Sequence, residues 1–168
     1  MFSIGEYVIC GNKGVSVVEN ITTLDINGVD KLRQYYILKP VYLSGSTVYV
    51  PVDAPGDMRS ILTRYEAERL IDAIPDIPLL TITNDKMTEQ IYRESMKTGD
   101  CQEWVRVLKT IYMRKQKRLQ MGRKVTALDE KYCRMAEQSL YGELAIALNL
   151  SRDAVEGYIT EEIEERKL

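Results

Sequence analysis

Residues 34–53, QYYILKPVYLSGSTVYVPVD, decide the fold of the first half of this chain. Aromatic and β-branched residues, which favour extended backbone, fill most of positions 35–38 and 48–52. Between these runs Gly45 lies in a short serine-rich turn, where it can adopt a positive φ angle without steric cost. Two β-prone runs around a glycine-containing turn predict a β-hairpin.

Two prolines of this stretch, Pro40 and Pro51, predict how the hairpin sits in its sheet. Proline has no backbone N–H, so each belongs at a strand end or on an edge strand. We therefore expect one side of the hairpin to pair within its own sheet and the other side to be free. A free edge can add a strand from another protein; the alternative is an ordinary edge that its prolines protect.

The remainder of the first 53 residues is also β-prone. Residues 7–9 and 15–21 predict two further strands, and Asn27-Gly28 is a strong signal for a two-residue turn. Four or five short strands in a segment of this length predict a small twisted β-barrel.

The second half of the chain carries the signals of helices. Thr63 and Glu66 have the spacing of a capping box, which predicts a helix over residues 64–73. Other cap residues stand before apolar runs with helical spacing and predict four more helices. These residues are Asn84 or Asp85, Asp100, Thr126 and Ser151.

Two further prolines, Pro75 and Pro78, interrupt the helical pattern and predict a semi-rigid linker. The sequence thus predicts an α+β protein in three parts. A β-barrel domain with one short helix covers residues 1–74, a linker covers 75–82, and an all-α domain covers 83–168.

Composition argues against an enzyme. The chain has no histidine, the commonest general base and metal ligand, and no glycine-rich phosphate-binding loop. Its three cysteines are odd in number and far apart, which is typical of reduced thiols rather than of disulfides or a zinc site; they are Cys10, Cys101 and Cys133. We expect no metal, no cofactor, no membrane segment and a cytoplasmic location.

Charge is distributed unevenly although the net charge is only −2. Residues 105–124 contain eight cations and no acid, whereas acids dominate from Asp153 onward. Such a basic stretch predicts a phosphate-binding surface, or alternatively a solvated face that pairs with the acidic end. Within the same region Trp104 lies among apolar residues at helical spacing, which favours a core position over stacking on a base.

Three segments together resemble the CarD/CdnL family of bacterial transcription regulators. The first is GEYVICGNKGVSVVENI at residues 5–21, and the second is YYILKP followed by VYVPVD within 35–53. The third comprises MRKQKR at 113–118 and LYGELAIAL at 140–148. The resemblance covers about residues 4–150, and the segments stand in the family's order.

This resemblance implies a Tudor-like N-terminal barrel, shared with the transcription-repair coupling factor, that binds the RNA polymerase β subunit. It also implies a helical domain that contacts promoter DNA without sequence specificity at the upstream edge of the −10 element and modulates the stability of the open complex. The polymerase-binding residues implied here are Leu24, Ile26, Thr47, Tyr49 and Pro51. We expect DNA contacts from Lys86, Arg93, Lys97, Arg114, Lys117, Arg118, Arg123 and Lys124.

The sequence departs from the family at several of these positions. Leu24 and Tyr49 stand where relatives often carry arginine, which implies a more apolar polymerase contact. Asp85 stands where the family has a tryptophan that wedges against the DNA minor groove. We expect a monomer, with a dimer swapped through the hairpin edge as the alternative. The alternative function is a protein-interaction module that uses the same barrel on another partner and never contacts DNA.

Overall fold

The computed structural model describes residues 1–166, and its elements confirm the α+β class. Five strands come first: β1 (Tyr7–Cys10), β2 (Val15–Thr23), β3 (Gln34–Pro40), β4 (Val48–Pro51) and β5 (Met58–Ser60). Five α-helices follow: α1 (Arg64–Ala73), α2 (Thr88–Lys97), α3 (Cys101–Gln120), α4 (Ala127–Leu148) and α5 (Arg152–Arg166).

The strands form one antiparallel sheet in the order β4-β3-β2-β1-β5. The predicted hairpin is confirmed as β3 and β4, with Tyr36 opposite Val50 and with Gly45 at a φ of 84° in the turn. The prediction of a closed barrel is not confirmed, because β4 and β5 stand at opposite ends of the described ladder. These end strands are short, with four and three residues.

One face of the sheet buries a small apolar core. Inward-facing side chains from all five strands meet there, and the Phe2 ring packs edge-to-face on Tyr36 at 5.7 Å between ring centroids. Alternate residues of β4 show the two faces, since Val50 is buried and Tyr49 is exposed. The core residues are Val8, Val18, Tyr36, Leu38, Val50 and Met58.

Three helices begin at cap residues that the sequence predicts. Thr63 and Glu66 form both hydrogen bonds of the capping box before α1, and Thr126 accepts from the Asp129 N–H before α4. Asp100 caps α3 in the same manner. The start predicted at Asn84 or Asp85 differs, because Asn84 caps a short 3-10 helix at Asp85–Met87 and α2 follows from Thr88 without a side-chain cap. Trp104 is completely buried, which confirms its predicted core position.

By its internal contacts the chain divides into two compact units, residues 1–61 and a second unit that begins at Leu62. This division differs from the predicted domain of residues 1–74, because α1 packs with α4 and α5. The apolar side chains of α1 explain this packing, because Ala67, Leu70 and Ile71 are buried. No α-helix in residues 1–166 has the length and apolar character needed to cross a bilayer.

Candidate interaction surfaces

The outer margin of β4 is the first candidate surface, since β4 pairs with β3 and with no second strand among the described residues. The Val52 N–H donates to the Gln34 carbonyl at 3.0 Å, which fixes the phase of hydrogen bonding along this pair of strands. Bonded and non-bonded pairs alternate in antiparallel strands. Val50 and Val48 therefore direct their backbone groups toward β3, whereas Tyr49 and Thr47 direct theirs outward.

This outward margin, which we call the β4 edge (residues 47–51), is short. Pro51 has no N–H, and its carbonyl already accepts from the Ala54 N–H at 3.2 Å. Two positions, Thr47 and Tyr49, remain to bond an incoming strand. Proline thus ends the edge as sequence reasoning predicts, and it also limits any added ladder to about four backbone hydrogen bonds.

The side chains along the β4 edge are more apolar than charged. Tyr49 is 48% exposed, while Pro51 and Thr47 are half-buried. The Thr47 hydroxyl accepts from Lys39 Nζ at 2.8 Å, which holds this lysine beside the edge. The surface therefore offers an aromatic ring and backbone groups rather than a row of cations.

Leu24 and Ile26 lie in the loop that follows β2. They come directly after Thr23, which is opposite Gln34 in the ladder, and Gln34 in turn bonds Val52 beyond the end of β4. Ile26 is exposed and Leu24 is half-buried. The same loop carries Leu32, which sequence reasoning missed and which is 90% exposed.

The second candidate surface comes from the basic stretch, whose eight cations do not behave alike. The three cations nearest the start of this stretch, Arg106, Lys109 and Arg114, bind partners inside the helical unit. Arg106 pairs with Glu103 at 3.0 Å, and Lys109 Nζ donates to three backbone carbonyls, including that of Ile77 at 2.6 Å. These side chains stabilise the fold and are not available to phosphates.

Arg114 is engaged more deeply. Its Nε donates to Asp129 Oδ2 at 3.0 Å, and the Tyr92 hydroxyl donates to Asp129 Oδ1 at 2.8 Å. Asp129 is fully buried, so this network ties α2, α3 and α4 together. Burial lowers the pKa of Arg114, but the hydrogen bond to Asp129 and nearby anions, Asp85 among them, give a net rise. Arg114 is therefore primarily a structural cation.

Four cations at the far end of α3 make the basic tip, defined as residues 117–124. The Arg123 N–H donates to the Arg118 carbonyl at 2.8 Å, and Arg118 Nε donates to the Lys124 carbonyl at 2.7 Å. Gly122, at a φ of 71°, makes this return possible. The tip cations are Lys117, Arg118, Arg123 and Lys124. None of them has an ion-pair partner within residues 1–166.

The three cations predicted near α2 are less concentrated. Arg93 pairs with Glu89 at 2.8 Å, and Lys86 follows Asp85 in a short 3-10 helix. Lys97 is exposed in the last turn of α2. The carboxylate of Asp85 is exposed, so an anion stands where the resemblance places an aromatic wedge.

Sequence reasoning missed the roles of Asp129 and Tyr92, which lie 37 positions apart and meet only through the tertiary fold. No local pattern marks such a pair. Among the described residues, no cluster of three or more histidine, cysteine or acidic side chains has the arrangement needed to hold a metal ion.

Comparison with models of known protein families gives a match to part of this chain. The model described as the CarD-like/TRCF RID domain matches residues 2–62, which are nearly the same residues as the first compact unit. A search of curated proteins gives no match. The family match confirms the resemblance for the first unit, and for the helices the resemblance stays a prediction.

Proposed function

We propose, from the match of residues 2–62 to the CarD-like/TRCF RID domain, that this chain is a non-catalytic regulator of transcription that interacts with RNA polymerase. In this proposal the first unit binds the RNA polymerase β subunit. The helical unit contacts promoter DNA beside the −10 element and changes the stability of the open complex. The Tudor-like character of the first unit and the cytoplasmic, monomeric state expected from the resemblance belong to the same proposal.

The β4 edge supports strand addition as the way the first unit binds its partner. Four backbone hydrogen bonds at about 0.5–1.5 kcal/mol each contribute roughly 2–6 kcal/mol. Association itself costs about 4–15 kcal/mol, so the backbone alone does not hold a complex. In this proposal apolar burial by Tyr49, Leu24 and Ile26 supplies the rest, and Leu32, which is exposed in the same loop as Leu24 and Ile26, adds apolar area.

The basic tip supports contact with DNA phosphates. Four cations that have no ion-pair partner among residues 1–166 lie within eight residues, and the loop that carries two of them is bonded back onto α3. Each cation that neutralises a phosphate makes binding more salt-dependent, by about 0.9 in the slope of log affinity against log salt concentration. Attachment to the polymerase raises the local concentration of the helical unit, so weak DNA affinity is sufficient.

One observation carries the proposal. In the domain that matches this family, Tyr49 directs its backbone N–H outward from β4, an edge strand that pairs only with β3 among the described residues. The test replaces Tyr49 with proline in the full chain, which removes that donor and the tyrosine ring at an edge position where proline is tolerated. The matched control is Ser60→Pro. Ser60 also lies at an outward-facing position, but on β5 at the opposite end of the sheet.

Binding of each variant to purified RNA polymerase, immobilised on a surface, is then measured. We expect Tyr49→Pro to weaken binding at least tenfold and Ser60→Pro to leave it unchanged, with both variants keeping the far-ultraviolet circular dichroism of the parent. Tyr49→Ala separates the ring from the donor, because it keeps the backbone N–H without the ring, and it should bind more tightly than Tyr49→Pro. Equal binding by all variants would reject strand addition at β4. Polymerase binding without any salt-dependent DNA contact would favour the protein-interaction module.

A further inference from the structure

We propose that a cavity among the helices of the second unit binds a small amine with an apolar body. This inference goes beyond the proposed function and does not depend on it, because the cavity uses neither the β4 edge nor the basic tip. The cavity has a volume of about 300 Å³ and is lined by residues of α3, α4, α5 and the turn that follows α1. Its apolar wall consists of Ile74, Val105, Leu108, Leu140, Ile159 and Ile163.

The size of the cavity sets the size of the ligand. Packed protein interiors leave few voids larger than one water molecule, so a space of this volume differs from an ordinary packing defect. An apolar cavity of about 150 Å³ takes benzene, and small-molecule sites begin at about 300 Å³. The cavity therefore suits a bicyclic ring or a short alkyl chain, with about ten to twelve non-hydrogen atoms.

Lys109 lies in the wall of the cavity, but it has no hydrogen left for a ligand. Its Nζ donates to the backbone carbonyls of Ile74, Pro75 and Ile77 at 2.7, 3.2 and 2.6 Å, respectively. An ammonium group has three hydrogens, so these bonds use all of them. The carbonyls follow the C-terminal end of α1, where the helix dipole favours a cation and offsets its charge. Lys109 is therefore not a receptor for an anionic ligand.

The hydroxyl groups that line the cavity have also donated their hydrogens within the protein. The Tyr141 hydroxyl donates to the Tyr112 hydroxyl, which donates to Glu137 Oε1 at 3.3 Å. Burial raises the pKa of both tyrosines, that of Tyr112 to about 12, so both stay protonated near neutral pH. The Thr160 hydroxyl donates to the Glu156 carbonyl at 3.0 Å. These hydroxyls keep lone pairs, so they accept hydrogen bonds from a ligand.

Glu156 supplies the charge that selects a cation. It is exposed where it lines the cavity, which places it at the mouth, and its carboxylate offers acceptors alone. A protonated amine provides both the donors and the positive charge that such a mouth requires, and tyrosine rings also attract cations. Acids outnumber cations in the groove beside the mouth, whose charged residues are Arg134, Glu137, Arg152, Asp153 and Glu156.

The test measures binding to the full chain by isothermal titration calorimetry near neutral pH. The probe is tryptamine, a protonated amine on an indole ring, and its anionic counterpart is indole-3-propionate, which has the same ring and linker. Glu156→Gln removes the charge at the mouth, and Thr160→Trp covers the mouth with a large ring. The matched controls are Glu161→Gln and Glu161→Trp, at an exposed position of α5 outside the cavity lining. Far-ultraviolet circular dichroism checks that each variant is folded.

We expect the parent to bind tryptamine with a Kd of about 1 mM or tighter and to bind indole-3-propionate at least tenfold more weakly. Glu156→Gln should weaken tryptamine binding by about three- to fivefold, because its carboxylate is exposed to solvent. Thr160→Trp should weaken it at least tenfold, and both Glu161 variants should bind like the parent. Equal affinity for the two indoles would overturn the proposal. Loss of affinity in Glu161→Gln equal to that in Glu156→Gln, or no binding of tryptamine by the parent, would also overturn it.

Discussion

At the scale of single residues, Asp129 decides how the basic stretch can be used. Its two oxygens accept from Tyr92 and Arg114 in a buried site, so one carboxylate holds three helices and withdraws one cation from the surface. A buried ion pair is costly to break by removing one partner, because the other charge stays desolvated. Arg114 therefore cannot be exchanged freely in experiments on DNA binding.

Two neighbouring acids should therefore differ greatly in how much they contribute to stability. Asp129→Ala should reduce the free energy of unfolding by about 3–5 kcal/mol, because it leaves Arg114 and Tyr92 without their shared acceptor. Glu130→Ala removes an exposed carboxylate from the same turn of α4 and should cost under about 1 kcal/mol. Urea unfolding of the two variants checks this, and similar small losses would show that the Asp129 network contributes little.

A second prediction at this scale concerns pH. Burial, followed by the carboxylate of Glu137, raises the pKa of the Cys133 thiol from 9.0 to about 12. Well below pH 9.0 the thiol is protonated in the folded and the unfolded chain alike. Above it the unfolded chain loses the proton first, so stability should fall as pH rises from 9.0 toward about 12.

Cys133→Ala isolates this contribution from the other groups that titrate in the same range. The parent should lose more stability than the variant between pH 8 and pH 10.5, as measured by urea midpoints. A difference between parent and variant that does not change with pH would contradict the raised pKa of the thiol.

At the scale of elements, the end of α3 depends on one backbone conformation. Gly122 has a φ of 71°, where a side chain is strained, although no atom lies within 4 Å of the position that its Cβ would take. Gly157 also has open space around it, but it lies within α5 without a positive φ. The two glycines thus differ in backbone conformation and not in crowding.

The same substitution should therefore have opposite effects at the two sites. Gly122→Ala should destabilise by about 1–2 kcal/mol, because alanine resists the left-handed conformation. Gly157→Ala should stabilise by about 0.5–1 kcal/mol, because alanine loses less conformational freedom in a helix. Thermal and urea unfolding of the pair measure both effects, and a loss of stability at both sites would contradict this explanation.

The elements also show what sequence can and cannot predict here. The starts of α1 and α4 were predictable because Thr63 and Thr126 bond donors only three residues away. The β3–β4 hairpin was predictable because its turn is local. Whether the sheet closes depends on pairing between strands far apart in sequence, and the prediction of a barrel had no local signal to correct it.

The candidate surfaces were likewise predictable from the sequence only in part. The outward position of Tyr49 follows from strand alternation and from Pro51, which the sequence shows directly. The eight cations looked alike in the sequence, yet Arg106, Lys109 and Arg114 are engaged by partners between 3 and 35 positions away. Only the fold distinguishes these three from the basic tip.

At the scale of the whole molecule, the chain carries two surfaces on two compact units. The β4 edge belongs to the family-matched unit, and the basic tip belongs to the helical unit. Their chemistry differs, since one offers backbone groups and apolar side chains and the other offers cations. The account therefore predicts that each surface responds to its own partner: the edge to polymerase, and the tip to promoter DNA.

Amide hydrogen exchange of the full chain with and without RNA polymerase tests this claim most directly. The Tyr49 N–H is directed away from β3 and should exchange rapidly in the free protein, then become protected when polymerase is added without DNA. Amides of β5 should be unchanged and serve as the internal control. The account predicts new protection at Thr47 and Tyr49; rapid exchange of both amides at saturating polymerase would contradict it.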